Sequence, residues 1–156
     1  MPIVTFYRDD PNAPRTTQGA HLGANAIITW DGMLLLEKRR DCDVWGLVGG
    51  GVKNWETPAQ AMAREIREEI GLRVPAAALK KCKVYGEPGR IAAYCDGSVW
   101  RMVIVAFCLE LEKRPELKIS PESRELRFFT REEVRNLNIV ITHSDIVEEL
   151  YLHSPE

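Results

Sequence analysis

The chain has 156 residues, of which 45% are hydrophobic and 28% charged, with a formal net charge of −2 and a pI of about 6.0. That is the make-up of one globular domain with a sizeable core, and it excludes a disordered or fibrous chain. So small a net charge supplies no overall field toward nucleic acid or an anionic membrane; no polymeric nucleic acid is expected as a partner, and an anionic ligand must be held locally.

The opening residues MPIVTFYRDD lack the basic start and apolar run of a secretory signal, and no apolar stretch reaches the length of a bilayer span, so a cytoplasmic protein without membrane association is expected. Cys42, Cys82, Cys95 and Cys108 form no C-x-x-C pair; buried thiols are expected rather than disulfides or a zinc site. Residues 1–19 contain three prolines and read as an irregular arm before a single domain over 20–156. Leu22 to Trp30 has strand character, Asp31-Gly32 is a two-residue turn signal, and Met33 to Lys38 returns as a second strand. Val44 to Gly51 is an apolar stretch closing on three glycines.

Thr57 to Ile70 switches to helical periodicity: Thr57 can cap, Pro58 suits the first position, Gln60 can close a capping box, and Gly71 supplies the stop. Lys83–Tyr85, Ile91–Cys95 and Val99–Leu111 read as strands, with Asp96-Gly97 closing another hairpin, and Glu125–Thr130 as a short last strand. Arg131–Asn136 and Ser144–Leu152 read as helices, with Thr130 and Ser144 as N-caps. Strands, helices and hairpins mixed in this way imply an α+β or mixed-sheet α/β domain.

On the helix from Thr57 to Ile70, Ala59, Met62, Ala63, Ile66 and Ile70 share one sector of the wheel. Glu65, Glu68 and Glu69 fall on the opposite sector at spacing i, i+3, i+4. Like charges roughly 5–6 Å apart repel, and a divalent cation reverses the sign. Hard carboxylate oxygens suit magnesium, whereas zinc would want His or Cys, and none lies on this helix. Taken alone, such a triplet is more often an ordinary solvated face.

The surrounding pattern changes the odds. Gly50, five residues, Glu56, seven residues, then Arg64-Glu65-Ile66-Arg67-Glu68-Glu69-Ile70-Gly71-Leu72 agrees at every defined position with G-x5-E-x7-R-E-U-x-E-E-x-G-U, where U is aliphatic. This resembles the Nudix box, and the arrangement of strands extends the resemblance over residues 20–152. It implies an α/β fold, an α/β/α sandwich with a mixed sheet, in which the box forms a loop, helix, loop unit.

The resemblance implies Mg²⁺, sometimes Mn²⁺, bound by Glu65, Glu68 and Glu69, with a backbone carbonyl of Gly49 or Gly50 completing the site. Gly50 and Gly51 let the backbone approach phosphates closely. Glu56 and Arg64 match positions that orient the cluster. The base is not fixed in this family: besides the box glutamates the candidates are Glu122 and Glu125, and for either a solvated loop acid is an equal reading. Arg39, at the end of the second strand, matches a basic residue that reaches substrate phosphates, again with a solvated position as the equal alternative. Lys80, Lys81, Lys83 and Arg90 read as charged surface, and His21, His143 and His153 as structural or exposed. Val48 and Trp55 depart from the Pro and Gly that many relatives carry in the loop.

The activity implied is metal-dependent hydrolysis of a diphosphate linkage in a nucleotide-like small molecule. ADP-ribose or nucleotide-sugar compounds lead, with nucleoside triphosphates close behind. The competing reading is a Nudix-fold module that senses a nucleotide without turnover; intact Glu65, Glu68 and Glu69 argue against it. Dimerisation is common among similar enzymes, so a homodimer is a further expectation.

Overall fold

The computed structural model describes residues 3–154. Among them a mixed sheet of nine strands is built from β1 (Val4–Arg8), β2 (Ala20–Trp30), β3 (Met33–Arg39), β4 (Trp45–Gly46), β5 (Val48–Gly51), β6 (Lys80–Tyr85), β7 (Arg90–Tyr94), β8 (Val99–Leu111) and β9 (Ser123–Phe129). The helices are α1 (Pro58–Ile70), α2 (Arg131–Arg135) and α3 (Ile141–Val147), the last continued by a π-helical turn over Glu148–Leu152. No helix among the described residues is long and apolar enough to cross a membrane.

The spine of the sheet is the parallel pairing of β2 with β8, unbroken from Ala20↔Arg101 to Trp30↔Leu111. On its other edge β2 carries β5 along its first half (Gly23↔Gly51 to Ala26↔Val48) and β3 at its far end (Thr29↔Leu34). Asp31 and Gly32 both have positive φ, 50° and 74°, as the expected tight turn demands. The sheet is buried on both faces, which explains its apolar strands. Ala24, Ala26 and Ile28 of β2, Leu35 of β3, and Val105, Phe107 and Leu109 of β8 pack with Met62, Ile66 and Ile70 of α1. The alternate residues Ile27, Leu34, Leu36, Ile104 and Ala106 pack with Val134, Ile146, Val147 and Tyr151 on the opposite side. Period-two alternation thus sorts each strand between two helical layers, giving the α/β/α sandwich.

Three expectations are corrected. The arm over residues 1–19 is not irregular throughout: Val4–Arg8 pairs antiparallel with β7, from Val4↔Tyr94 to Arg8↔Arg90. The run V-T-F-Y has strand propensity, and Pro11 and Pro14 lie beyond it. The last helix begins at Ile141 rather than Ser144, because the Val140 carbonyl accepts from both the His143 and Ser144 N–H groups and closes the turn without a polar cap. Arg90 is buried rather than on the surface, with its guanidinium paired to Asp145 (2.5 Å).

Candidate active site

Helix α1 is fixed at both ends by its own sequence. Thr57 Oγ1 accepts from the Gln60 N–H (3.2 Å), Gln60 Oε1 accepts from the Thr57 N–H (3.0 Å), and Gly71 ends the helix with φ 73°. The capping box therefore forms as expected, and it sets the phase in which the three glutamates leave the helix.

That phase departs from a simple division into a core face and an acid face. Glu68 is exposed and Glu65 half-buried, but Glu69 is buried with Met62 and Ile66. Residues 62 and 69 are seven apart, which returns them to within about 20° of each other on the wheel. Glu69 therefore sits on the edge of the core stripe, beneath β5. There the Gly49 N–H donates to its Oε2 (3.1 Å).

The glycines of β5 touch these acids. A Cβ on Gly50 would stand 2.6 Å from the Glu65 carboxyl, and one on Gly49 would stand 2.0 Å from the Ala24 carbonyl oxygen. Asn25 fastens the same strand by donating to the Leu47 carbonyl (3.3 Å), and His143 Nδ1 accepts from the Leu47 N–H (3.0 Å). Burial pushes the His143 pKa down to about 3, so the ring is neutral and able to accept that bond.

Arg64 gathers the acids. Its Nε donates to Glu56 (2.6 Å), Nη1 to Glu65 (2.9 Å) and Glu68 (3.1 Å), and Nη2 to the Gly51 carbonyl (3.0 Å). The guanidinium beside Glu56 holds that carboxyl down at about 2. Glu56 also accepts from the Lys53 N–H (3.0 Å), which shapes the loop entering α1. Val48 is fully buried in the core and Trp55 is exposed on the loop, so neither departure disturbs the strand or the caps.

Beside Glu69 opens a cavity of about 400 Å³ lined by Glu37, Arg39, Arg40, Asp41, Glu69 and Glu122, among others. Glu37 was not singled out from the sequence. It is buried at the end of the β3 apolar run, and Ser123 donates to its Oε2 (2.7 Å). A glutamate closing a run of leucines was the signal available. Burial raises the pKa of both Glu37 and Glu69; Glu37 and Glu65 push Glu69 up further, and Asp41 and Glu122 do the same for Glu37. Arg39 does reach this cavity, but Asp41 takes it in a bidentate pair (2.8 and 2.6 Å). Glu122 lies at the rim, whereas Glu125 is turned to Arg127 and is not among the residues lining the cavity.

Among the described residues no three His, Cys, Asp or Glu side chains form a ready-made metal cage, since Arg64 holds Glu65 and Glu68 while Gly49 holds Glu69. The donor set nevertheless fits a hard divalent cation. The acids are oxygen donors at the edge of the sheet, a buried carboxylate with a raised pKa is stabilised by a cation, and Gly50 leaves Glu65 space that a side chain would fill.

The sandwich and the glycine-backed acids define an α/β fold with an acid-lined site where strand β5 meets helix α1. The chain belongs to the Nudix family, since the NUDIX domain profile matches residues 19–150, and it is a Nudix pyrophosphohydrolase. It is 30% identical over 98 residues to nucleoside triphosphatase NudI of Enterobacter sp. (strain 638), covering 61% of this chain and 67% of that protein. Several other curated relatives are matched over 33% of their own length or less. The NUDIX domain of Shewanella oneidensis NrtR complexed with ADP ribose superposes with a TM-score of 0.68 at 18% identity, covering 90% of each chain. A bifunctional NMN adenylyltransferase/ADP ribose pyrophosphatase from Francisella tularensis, complexed with AMP and a Mn ion, gives a TM-score of 0.62 at 21% identity, over 88% of this chain and 42% of that one. These two structural likenesses speak to the fold alone.

Proposed function

We propose that this chain is a Mg²⁺-dependent hydrolase that cleaves the diphosphate linkage of a nucleoside diphosphate joined to another moiety, of ADP-ribose or nucleotide-sugar type, or of a nucleoside triphosphate. The observation that carries the reading is the contact of β5 with α1, where Gly49 and Gly50 meet Glu69 and Glu65 beside the acidic cavity. Glu65, Glu68 and Glu69, with the carbonyl of Gly49 or Gly50, would hold the cation, with Mn²⁺ as a substitute. When bound, the cation neutralises charge along the anhydride and makes an attacking water more acidic.

The remaining work falls to side chains. Arg64 and Glu56 orient the acids and the Gly51 carbonyl. The backbone of Gly50 and Gly51 leaves room for phosphate oxygens. Arg39, already positioned by Asp41 at the cavity wall, presents its charge to the phosphates. Glu122, exposed at the rim, takes the proton of the attacking water. The relative named a nucleoside triphosphatase supports the triphosphate class.

Incubating the protein with Mg²⁺ and a panel of both classes in H₂¹⁸O, with products identified by mass spectrometry, tests the proposal. A nucleoside monophosphate together with pyrophosphate, or with a phosphorylated sugar, is expected, one product carrying ¹⁸O. Glu68→Gln is expected to abolish release without unfolding the protein, since Glu68 is 49% exposed and its carboxylate pairs with Arg64 at the helix surface. Tight binding of a nucleotide with no turnover by the parent protein would overturn the proposal in favour of a sensing module.

A further inference from the structure

Strand β6 does not pair evenly with β8. Lys80 faces Cys108 and Lys81 faces Phe107, but the register then slips so that Lys83 faces Ala106, leaving Cys82 in a bulge. A bulge re-aims the side chain of its extra residue, and here it turns Cys82 back across the strand toward Cys108. The two Sγ atoms stand 2.6 Å apart, well inside the roughly 3.5–4.0 Å of ordinary non-bonded contact between heavy atoms. Both side chains are half-buried rather than sealed. Cys108 also lines a cavity of about 890 Å³ that lies between the β2–β3 turn and the C-terminal helices, away from the box acids, so a small reagent has a path to the pair.

From this geometry we propose that Cys82 and Cys108 form a reversible disulfide under peroxide or a small-molecule disulfide, a modification site independent of the hydrolytic one. Cys82 is the first sulfur to react. It is carried by the bulge of an edge strand, open to a small reagent. Burial pushes the Cys108 thiol up to about 12, which keeps it protonated at the outset. With hydrogen peroxide, the Cys82 thiolate attacks one oxygen, the O–O bond breaks, and Cys82 sulfenic acid and hydroxide result, the hydroxide taking up the proton that the Cys82 thiol had released to give one water. Cys108 sulfur then attacks the Cys82 sulfur, the S–O bond breaks, and the Cys108 proton leaves with the hydroxide as a second water. Two thiols lose two electrons in all, and the peroxide gains them. The link closes a loop between residues 26 positions apart and ties the β6 edge to the strand that pairs with β2 along its full length.

The test is non-reducing peptide mapping of the full chain after treatment with stoichiometric hydrogen peroxide, and separately with oxidised glutathione, with Cys42 and Cys95 as internal controls. A peptide linking Cys82 to Cys108 and reversed by dithiothreitol is expected, with a whole-protein mass lower by about 2 Da. The oxidised form should melt roughly 5–10 °C higher than the reduced one, as closing a loop of this size implies. Cys82→Ser and Cys108→Ser should each abolish both the link and the shift. Should either variant fail to fold, alkylating the reduced wild-type protein with iodoacetamide before oxidation supplies the same control. Two free, alkylatable thiols after oxidation, a persistent glutathione adduct on Cys82, or oxidation of Cys82 to sulfinic acid without a link would each overturn the proposal.

Discussion

Replacing Gly50 with alanine adds one methyl group where β5 meets α1. Its Cβ would stand 2.6 Å from the Glu65 carboxyl carbon and Oε1, against an ordinary contact that begins near 3.4 Å, so the carboxylate has to withdraw by about 0.8 Å. The atoms in the way are the far end of a flexible side chain, and the Gly50 backbone is not in the left-handed region. The fold should therefore survive, with an overpacking penalty of about 1–3 kcal/mol and a melting temperature lower by roughly 2–10 °C. Catalysis is less tolerant, because misplacement on the order of 1 Å lowers turnover roughly 10²-fold. Gly49→Ala is the contrast. There the methyl would meet the Ala24 carbonyl oxygen at 2.0 Å and Asn25 Cα at 2.8 Å, which is backbone that cannot yield, at a φ of 155°. That variant should lose more than about 4 kcal/mol of stability. Thermal melts and steady-state hydrolysis across a Mg²⁺ titration separate the two. A Gly50→Ala protein that keeps activity within about threefold of the parent would refute the placement of Glu65 in the site.

Glu122→Gln should lower kcat by roughly 10²–10⁴-fold, whereas Glu125→Gln, whose carboxylate already serves Arg127, should leave it nearly unchanged; equal effects in kinetic assays would remove Glu122 from the mechanism. His143 supplies a pH dependence of stability. Its folded pKa lies near 3, below the ordinary value of 6.5, so the unfolded chain binds the extra proton. The contribution is fully present above about pH 6.5 and is lost as pH falls toward about 3, at about 1.4 kcal/mol per pH unit. Urea unfolding at pH 7 and pH 5 should show this loss, and His143→Gln should flatten it.

Much of the fold was legible because local chemistry and tertiary context agree. The Asp31-Gly32 turn, the Thr57–Gln60 capping box and the Gly71 stop are each dictated by residues within four positions of one another, and each is present. The box acids were legible as a motif, since Glu65, Glu68 and Glu69 all leave one helix. What was hidden depends on contacts distant in the chain. Val4–Arg8 becomes a strand only because β7 offers an edge. Glu37 becomes part of the acidic cavity only because α1 brings Glu69 beside it and Ser123 comes from a strand 86 residues away. Likewise Arg39 could be placed near the site, but its commitment to Asp41 is a matter of loop geometry.

Arg64 lets several carboxylates stand close together before any cation arrives. One unlike pair at 4 Å is worth about 4 kcal/mol at an effective dielectric near 20, less where solvent screens it. Arg64 spreads that attraction over Glu56, Glu65 and Glu68 while Nη2 holds the Gly51 carbonyl. A dication held by Glu65 and Glu68 would compete with the guanidinium for them, while Glu56 and the Gly51 carbonyl would still hold Arg64 and with it the loop. Charge alone does not accomplish this: the planar fork reaches in separate directions, and a lysine ammonium cannot. Arg64→Lys should therefore lower kcat/KM by roughly 10–100-fold and weaken Mg²⁺ activation to a similar degree, although net charge is preserved. Kinetics in which lysine fully replaces arginine would mean that Arg64 acts only as a counter-charge and that the loop is held by other contacts.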